Sequence, residues 1–248
     1  MMRKSFTKGD LEAAFQKVGA ILAKPLTVYL LGGGAMCFRN QKAATKDLDL
    51  VFTSREDFRD FASALEKIGF TEAKQVETEY ADMMAAGIWR NKDDFRMDLF
   101  VNTVCRALSL SGKMAKRSEL LDEYGKLAVK LVSNEDVILF KGITERPDDA
   151  NDIAAIIRRS DVDWDVVFEE CVAQSKSTPW YGLLADKFAD IEERHGISVP
   201  IAGKILGLDR QLLIKDALEM RLKKGMGRKE AMDDLLAMGF SKKELEGL

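Results

Sequence analysis

The chain has 248 residues, of which 46% are apolar and 32% are charged, and its formal net charge is −3. This composition is typical of a soluble globular protein, and the length allows one large domain or two small ones. The small negative charge excludes a global positive field that would recruit nucleic acid, so any RNA contact must be local. The single histidine disfavours triad hydrolases and histidine-based metal centres.

Residues 1–10 are too polar for a signal peptide, and no apolar run reaches about 18 residues, the minimum for a membrane span. The three cysteines, Cys37, Cys105 and Cys171, lie far apart and form no CxxC pattern. We expect reduced thiols rather than disulfides or a zinc site. These features favour a cytoplasmic protein without a membrane partner.

The first informative stretch is a strand followed by glycines. Apolar residues at helical spacing predict an N-terminal helix that ends before Pro25, and the run Leu26–Leu31 then predicts a buried strand. Three glycines follow, and they are expected to open a short helix over residues 35–40. Glycine at such a turn lets backbone N–H groups approach a phosphate closely. The alternative is a bare tight turn.

The second informative stretch is an acidic strand. Asp47 and Asp49 belong to the predicted strand that ends at Phe52, so their side chains project to one side. Two neighbouring carboxylates repel each other unless a cation lies between them, and Mg²⁺ prefers oxygen ligands. The pattern therefore indicates a metal site. The alternative is that one aspartate caps a turn and the other faces solvent.

Together the two stretches resemble the DNA polymerase β nucleotidyltransferase superfamily, whose signature joins a glycine pair to Asp-x-Asp on a strand. The resemblance extends to a small prokaryotic branch that includes the abortive-infection nucleotidyltransferase toxins. The residues that carry it are Gly32, Gly33, Ala35, Thr45, Asp47, Asp49 and Leu50. Ala43 stands where that branch often has Arg, which leaves the contacts of this loop open.

A predicted β-hairpin over residues 87–101 carries a third carboxylate. Asp98 lies in its second strand among apolar neighbours and shares a face with Arg96. The resemblance implies that Asp47, Asp49 and Asp98 are the catalytic residues and hold two Mg²⁺ ions. Arg96 would either steady a phosphate or offset the charge of the carboxylates.

A later helix carries Lys141 and is followed by a break at Arg146 and Pro147. The next helix contains Asp149 and Asp152, and this sequence of features also resembles the superfamily. The resemblance implies that Lys141 lies near the nucleotide phosphates, with the two aspartates beside it. Alternatively Lys141 extends to the surface. For Asp152 a salt bridge is favoured over a metal-ligand role.

From about residue 160 the pattern is helical. The predicted helices cover residues 164–173, 179–196 and 212–222, with a short one from Pro200. The expected fold class is α/β (α+β), with a nucleotidyltransferase-like mixed sheet and flanking helices. Residues 1–132 would form the catalytic domain, and residues 133–248 a helical domain that closes one side of the cleft.

The expected function is Mg²⁺-dependent transfer of a nucleoside monophosphate from an NTP to a hydroxyl of RNA, protein or a small molecule. The residues expected to contact the NTP are Gly32, Gly33, Gly34, Thr45 and Lys141. By resemblance alone, the protein would be a toxin with an antitoxin partner. One alternative is a non-catalytic nucleotide- or partner-binding protein of the same fold. Another is a haloacid dehalogenase-type phosphatase, in which an apolar strand runs directly into the first Asp.

Overall fold

A computed structural model of the chain describes residues 4–73, 85–104, 108–175 and 179–246. The strands are β1 (Phe6–Thr7), β2 (Leu26–Leu31), β3 (Ala44–Thr45), β4 (Asp47–Phe52), β5 (Thr71–Glu72), β6 (Gly87–Arg90), β7 (Arg96–Val101), β8 (Thr103–Val104), β9 (Leu108–Ser109), β10 (Glu119–Tyr124) and β11 (Leu127–Leu131). The helices are α1 (Lys8–Ile21), α2 (Gly32–Phe38), α3 (Arg55–Lys67), α4 (Gly112–Arg117), α5 (Asn134–Gly142), α6 (Asp148–Arg159), α7 (Trp164–Gln174), α8 (Tyr181–His195), α9 (Ala202–Lys223), α10 (Arg228–Ala237) and α11 (Lys242–Leu245).

Seven of these strands form one mixed sheet in the order β10-β11-β2-β4-β7-β6-β5. Strand β11 is parallel to β2, and β4 is parallel to β7, while β2 and β4 run antiparallel. Helices flank this sheet, and the chain from α5 onward is helical in the described part. The predicted mixed sheet with flanking helices and a helical C-terminal region is confirmed.

Strand β4 lies at the centre of the sheet and has two different faces. Leu48, Leu50 and Phe52 are fully buried on one face because they alternate along the strand. The other face begins with Asp47 and Asp49. This alternation turns both carboxylates towards the same side, away from the leucines.

The hydrophobic core does not stop at the predicted domain boundary. One cluster of buried side chains extends from Phe6 in β1 to Ile205 in α9, and it includes the helices that follow residue 133. A second, smaller cluster joins α9, α10 and α11 and consists of Ile214, Leu218, Ala231, Leu235 and Leu245. The division into domains 1–132 and 133–248 stays a prediction.

Among the elements that differ from the sequence-based expectation are α2, α9 and β10. The helix expected over residues 35–40 begins earlier, so the glycines form its first turn. The short helix from Pro200 and the helix over 212–222 are one helix of 22 residues, because no proline interrupts Ala202–Lys223. Strand β10 was not predicted, since it is a mostly exposed edge strand without a buried alternating face.

Cys37 and Cys171 are buried free thiols, while Cys105 lies outside the described residues.

Within the described ranges, no helix is both long enough and apolar enough to span a membrane.

A buried ion cluster joins the sheet side of the molecule to the helical region. Arg117 in α4 donates through Nε to Asp136 in α5 at 2.8 Å, and through a terminal nitrogen to Glu170 in α7 at 2.8 Å. Asp136 is 0% exposed and Glu170 is 3% exposed. Among the described residues, Arg117 is the cation of both carboxylates. Asp136 also accepts a hydrogen bond from the Ser133 hydroxyl, and Glu170 accepts one from the Gln174 amide.

Replacing Arg117 by Met is expected to lower the free energy of unfolding by roughly 3–5 kcal/mol, because two buried carboxylates lose their cation. The matched control is Lys113→Met in the same helix, whose ion pair with Glu169 is exposed at both ends. Urea denaturation of both variants measures the difference. Equal effects of the two substitutions would show that the cluster does not stabilise the fold.

Candidate functional site

Three aspartates are neighbours on one face of the central sheet. Asp47 and Asp49 lie two residues apart on β4, and Asp49 is the register partner of Asp98 on the parallel strand β7. Residues paired in this way project to the same face. The structure therefore brings together the three aspartates that the sequence singled out.

Asp49 is buried without a partner for its charge. Its side chain is 8% exposed, and among the described residues it makes no hydrogen bond or ion pair. Burial, followed by the charges of Asp47 and Asp98, raises the pKa of Asp49 to about 8, against the opposing charges of Arg146 and Lys141. A cation bound at this carboxylate would remove the cost of its ionisation.

Asp98 is engaged by a neighbouring arginine. Its two oxygens accept hydrogen bonds from Arg96 Nε at 2.5 Å and from an Arg96 terminal nitrogen at 2.7 Å. Both side chains are 1% exposed, so this is a buried bidentate pair. Of the two roles considered for Arg96, the contact agrees with offsetting carboxylate charge.

The three aspartates are neighbours on the sheet, but their oxygens do not converge. Within the residues that the structure describes, no group of three or more His, Cys, Asp or Glu side chains is placed to hold a metal ion. Asp47 and Asp49 line an open cleft, whereas Asp98 does not line it. Asp47 and Asp49 are therefore the two of these aspartates that a ligand in the cleft can reach, and we call them the acidic pair.

The cleft has a volume of about 530 Å³ and lies between the β3–β4 segment and the start of α6. Its charged lining residues include the acidic pair and two cations, Lys141 and Arg146, which we call the basic wall. The lining also includes carboxylates beside these cations and further lysines: Lys42, Lys46, Asp148, Asp149 and Asp152. Another cavity, of about 550 Å³, lies between α8, α9 and α11. We assign the site to the acidic cleft because the buried carboxylate with the raised pKa lies there.

Two of the glycines make room for site residues. Gly32 has φ +63°, and a Cβ there would lie 2.3 Å from Asp49 Oδ2. A Cβ on Gly33 would lie 2.5 Å from the hydroxyl of Thr45, which itself donates to the carbonyl of Asp47 at 3.1 Å. The absence of these Cβ atoms lets α2 approach the acidic strand.

Gly34 has a different environment. A Cβ on this residue would lie 2.7 Å from a Leu30 methyl group and 2.8 Å from a Leu48 methyl group, so Gly34 packs in the core. Of the three glycines, Gly33 is the one that lines the cleft. The three glycines therefore do not line one surface of the cleft together. Gly33 lies where a contact with a nucleotide phosphate would require it.

Lys141 points inward and is held by two carboxylates. Its Nζ lies 2.7 Å from an oxygen of Asp149 and 2.7 Å from one of Asp152, and the residue is 5% exposed. Burial alone would lower the pKa of Lys141, but the two carboxylates raise it above its ordinary value. Extension of Lys141 to the surface is therefore wrong, and the predicted salt bridge of Asp152 is confirmed.

Two cations at the site were not assigned to it from the sequence. Lys42 Nζ binds both oxygens of Asp152 at 2.9 Å and so ties the loop after α2 to α6. Arg146 Nε lies 3.1 Å from Asp149, with 40% of its side chain exposed. The sequence signal for Arg146 was its place with Pro147 in the break between the Lys141 helix and the Asp149 helix, a feature that resembles the superfamily without giving Arg146 a role.

The sequence model of one protein family matches residues 10–191, and its description is "Nucleotidyltransferase of unknown function (DUF6036)". The chain belongs to this family. The match includes every candidate site residue from Gly32 to Asp152. A search among curated proteins finds no match.

The DUF6036 assignment and the start of strand β4 both argue against the phosphatase alternative. Asp47 is the first residue of β4, and it follows the polar residue Lys46 rather than an apolar strand. The apolar strand that does lead into the site, β2, ends at Leu31 and is followed by Gly32 rather than by an aspartate. The haloacid dehalogenase pattern is therefore not supported.

Replacing Asp49 by Asn is expected to stabilise the metal-free protein, and by more at pH 9 than at pH 5. The pKa of Asp49 is raised to about 8 in the folded chain, whereas an unfolded Asp titrates near about 3.9. The stability associated with protonated Asp49 is therefore present at low pH and is lost as the pH rises through about 8. At pH 9 the gain is expected to be roughly 2–5 kcal/mol.

Urea denaturation in the presence of a chelator measures this pH dependence. Asp148→Asn, at an exposed position on the rim of the same cleft, is the control that should show no such gain. A gain for Asp49→Asn that is absent, or that does not grow with pH, would contradict the proposed burial of this charge.

Proposed function

We propose that this protein is a Mg²⁺-dependent nucleotidyltransferase that moves a nucleoside monophosphate from an NTP to a hydroxyl acceptor. One observation carries the proposal. The acidic pair on β4, with Asp49 buried and unpaired among the described residues, faces the basic wall across an open cleft. This arrangement occurs in a member of a nucleotidyltransferase family.

The donor set of the acidic pair fits a hard divalent cation. Mg²⁺ is usually bound by one or two carboxylates, with water and substrate phosphates as its other ligands. Asp47 and Asp49 offer such a pair on one face. Burial, and then the charges of Asp47 and Asp98, raise the pKa of Asp49, and a bound cation would lower it. The arrangement with two ions additionally requires Asp98 to exchange its Arg96 contact for a metal contact.

In the proposed reaction, the acceptor oxygen attacks the α-phosphorus of the NTP, and the bond to pyrophosphate breaks. Bound Mg²⁺ would neutralise charge on the triphosphate and the leaving pyrophosphate. Asp47 and Asp49 would hold this ion, and the basic wall would place positive charge on the opposite side of the triphosphate. Gly33 and Thr45 border the acidic pair, where a backbone or hydroxyl contact to the nucleotide is possible.

A biological role as the toxin of a toxin–antitoxin pair extends this proposal. It rests on the resemblance of the Gly32–Asp49 stretch to the abortive-infection nucleotidyltransferase toxins. It requires the same transfer reaction, with RNA or protein as the acceptor.

The test is transfer of label from each α-³²P-labelled NTP, with Mg²⁺, to total RNA and to a protein extract. The native chain is expected to label one acceptor class. Asp47→Asn/Asp49→Asn should reduce the labelling at least about 100-fold, because the charges that bind the cation are lost. Asp148→Asn, at the exposed cleft rim, should label like the native chain.

Equal labelling by the double variant would overturn the mechanism. Binding of Mg·NTP by the native chain, without transfer to any acceptor, would instead favour the non-catalytic nucleotide-binding alternative.

A further inference from the structure

Arg146 is anchored on one side and open on the other. Its Nε donates to Asp149 Oδ2 at 3.1 Å, immediately before α6 begins. The two terminal nitrogens make no hydrogen bond to any residue within the described ranges, and 40% of the side chain is exposed. The residue lines the cleft. Its guanidinium therefore presents a free fork beside the acidic pair.

The anchor of this fork is rigid. Asp149 is 3% exposed and also accepts hydrogen bonds from Lys141 Nζ at 2.7 Å and from the hydroxyl of Thr144. These two donors hold the Asp149 carboxylate in place, so Arg146 Nε binds a fixed partner. A side chain held in this way loses little freedom when it binds a ligand.

The backbone at this point is also held. Lys187 in α8 donates to the carbonyl of Arg146 at 2.9 Å, and Arg194 donates to the carbonyl of Pro147 at 2.9 Å. Both donors come from a helix that packs on α6 from the side of the helical region. Arg146 is thus positioned by its main chain as well as by its side chain.

The charge of Arg146 acts on the acidic pair. Burial alone would lower the pKa of Arg146, but Asp149, Asp49 and Asp47 together raise it. In return, Arg146 is the first of the cations that oppose the rise in the pKa of Asp49. Before any metal binds, this arginine is a principal source of positive charge for the acidic pair.

We propose that Arg146 balances the charge of Asp47 and Asp49 in the metal-free protein, and that its terminal nitrogens bind phosphate oxygens of the incoming nucleotide. This inference rests on the proposed function. A divalent cation between the carboxylates would take over this charge balance, while the contact of Nε with Asp149 keeps the guanidinium in place. A planar guanidinium fork matches the spacing of two phosphate oxygens, and the anchored Nε leaves that fork free.

The test separates charge from geometry with two variants. Arg146→Gln removes the charge, and Arg146→Lys keeps the charge without the fork. The control is Arg158→Gln, which replaces an exposed arginine in the last turn of α6, the helix that follows Arg146; Arg158 contacts the carbonyl of His195. Titration calorimetry measures Mn²⁺ binding without nucleotide, and then binding of a non-hydrolysable Mg·NTP analogue.

Arg146→Gln is expected to bind Mn²⁺ more tightly than the native chain at low ionic strength, because a competing positive charge is gone. It should bind the Mg·NTP analogue about tenfold or more weakly, the loss expected for a charge-assisted hydrogen bond. Arg146→Lys should bind Mn²⁺ like the native chain and the analogue more weakly. Arg158→Gln should match the native chain in both titrations.

Two failures are distinguishable. In the first case, the native chain binds the analogue, Asp47→Asn/Asp49→Asn abolishes this binding, and Arg146→Gln leaves it unchanged. This result would overturn the role of Arg146 and leave the proposed function standing. If the native chain binds neither Mn²⁺ nor the analogue, the proposed function itself fails and the role of Arg146 fails with it. Circular dichroism of each variant confirms that a loss of binding does not result from unfolding.

Discussion

The structure depends on a balance of charge across one cleft. Asp49 is buried next to Asp47 and Asp98, and ionisation of such a cluster is costly without nearby positive charge. Positive charge for this cluster comes from two cations that line the same cleft. Lys141 lies in α5, and Arg146 lies just before α6. A site with this distribution of charge attracts a cation to one side and an anion to the other.

The fold maintains this balance through close packing and buried ion pairs. The absent Cβ atoms of Gly32 and Gly33 allow Asp49 and Thr45 to approach α2. On the opposite side, Asp152 joins Lys42 to Lys141 and so fixes α6 against the loop that precedes the acidic strand. Because these pairs are mostly buried, removing one member leaves an uncompensated charge, and the arrangement tolerates little change.

Much of this site could be predicted from the sequence. The strand β4 and the β6–β7 hairpin follow from apolar alternation, and two-residue spacing places Asp47 and Asp49 on one face. The grouping of Asp98 with them came from resemblance, because only the sheet register makes them neighbours. The core position of Gly34 depends on tertiary packing, so the local sequence contains no signal for it. Arg146 and Asp149 are three residues apart at a helix start, but that spacing alone does not show that Asp149 is buried against Lys141.

The central claim is that the acidic pair binds a divalent cation opposite the basic wall. Anomalous diffraction from crystals grown with Mn²⁺ and a non-hydrolysable NTP analogue tests it most directly. The account predicts a manganese peak in contact with the oxygens of Asp47 and Asp49, with the triphosphate extending towards Arg146. A nucleotide bound elsewhere, or a cleft without manganese beside these carboxylates, would contradict it.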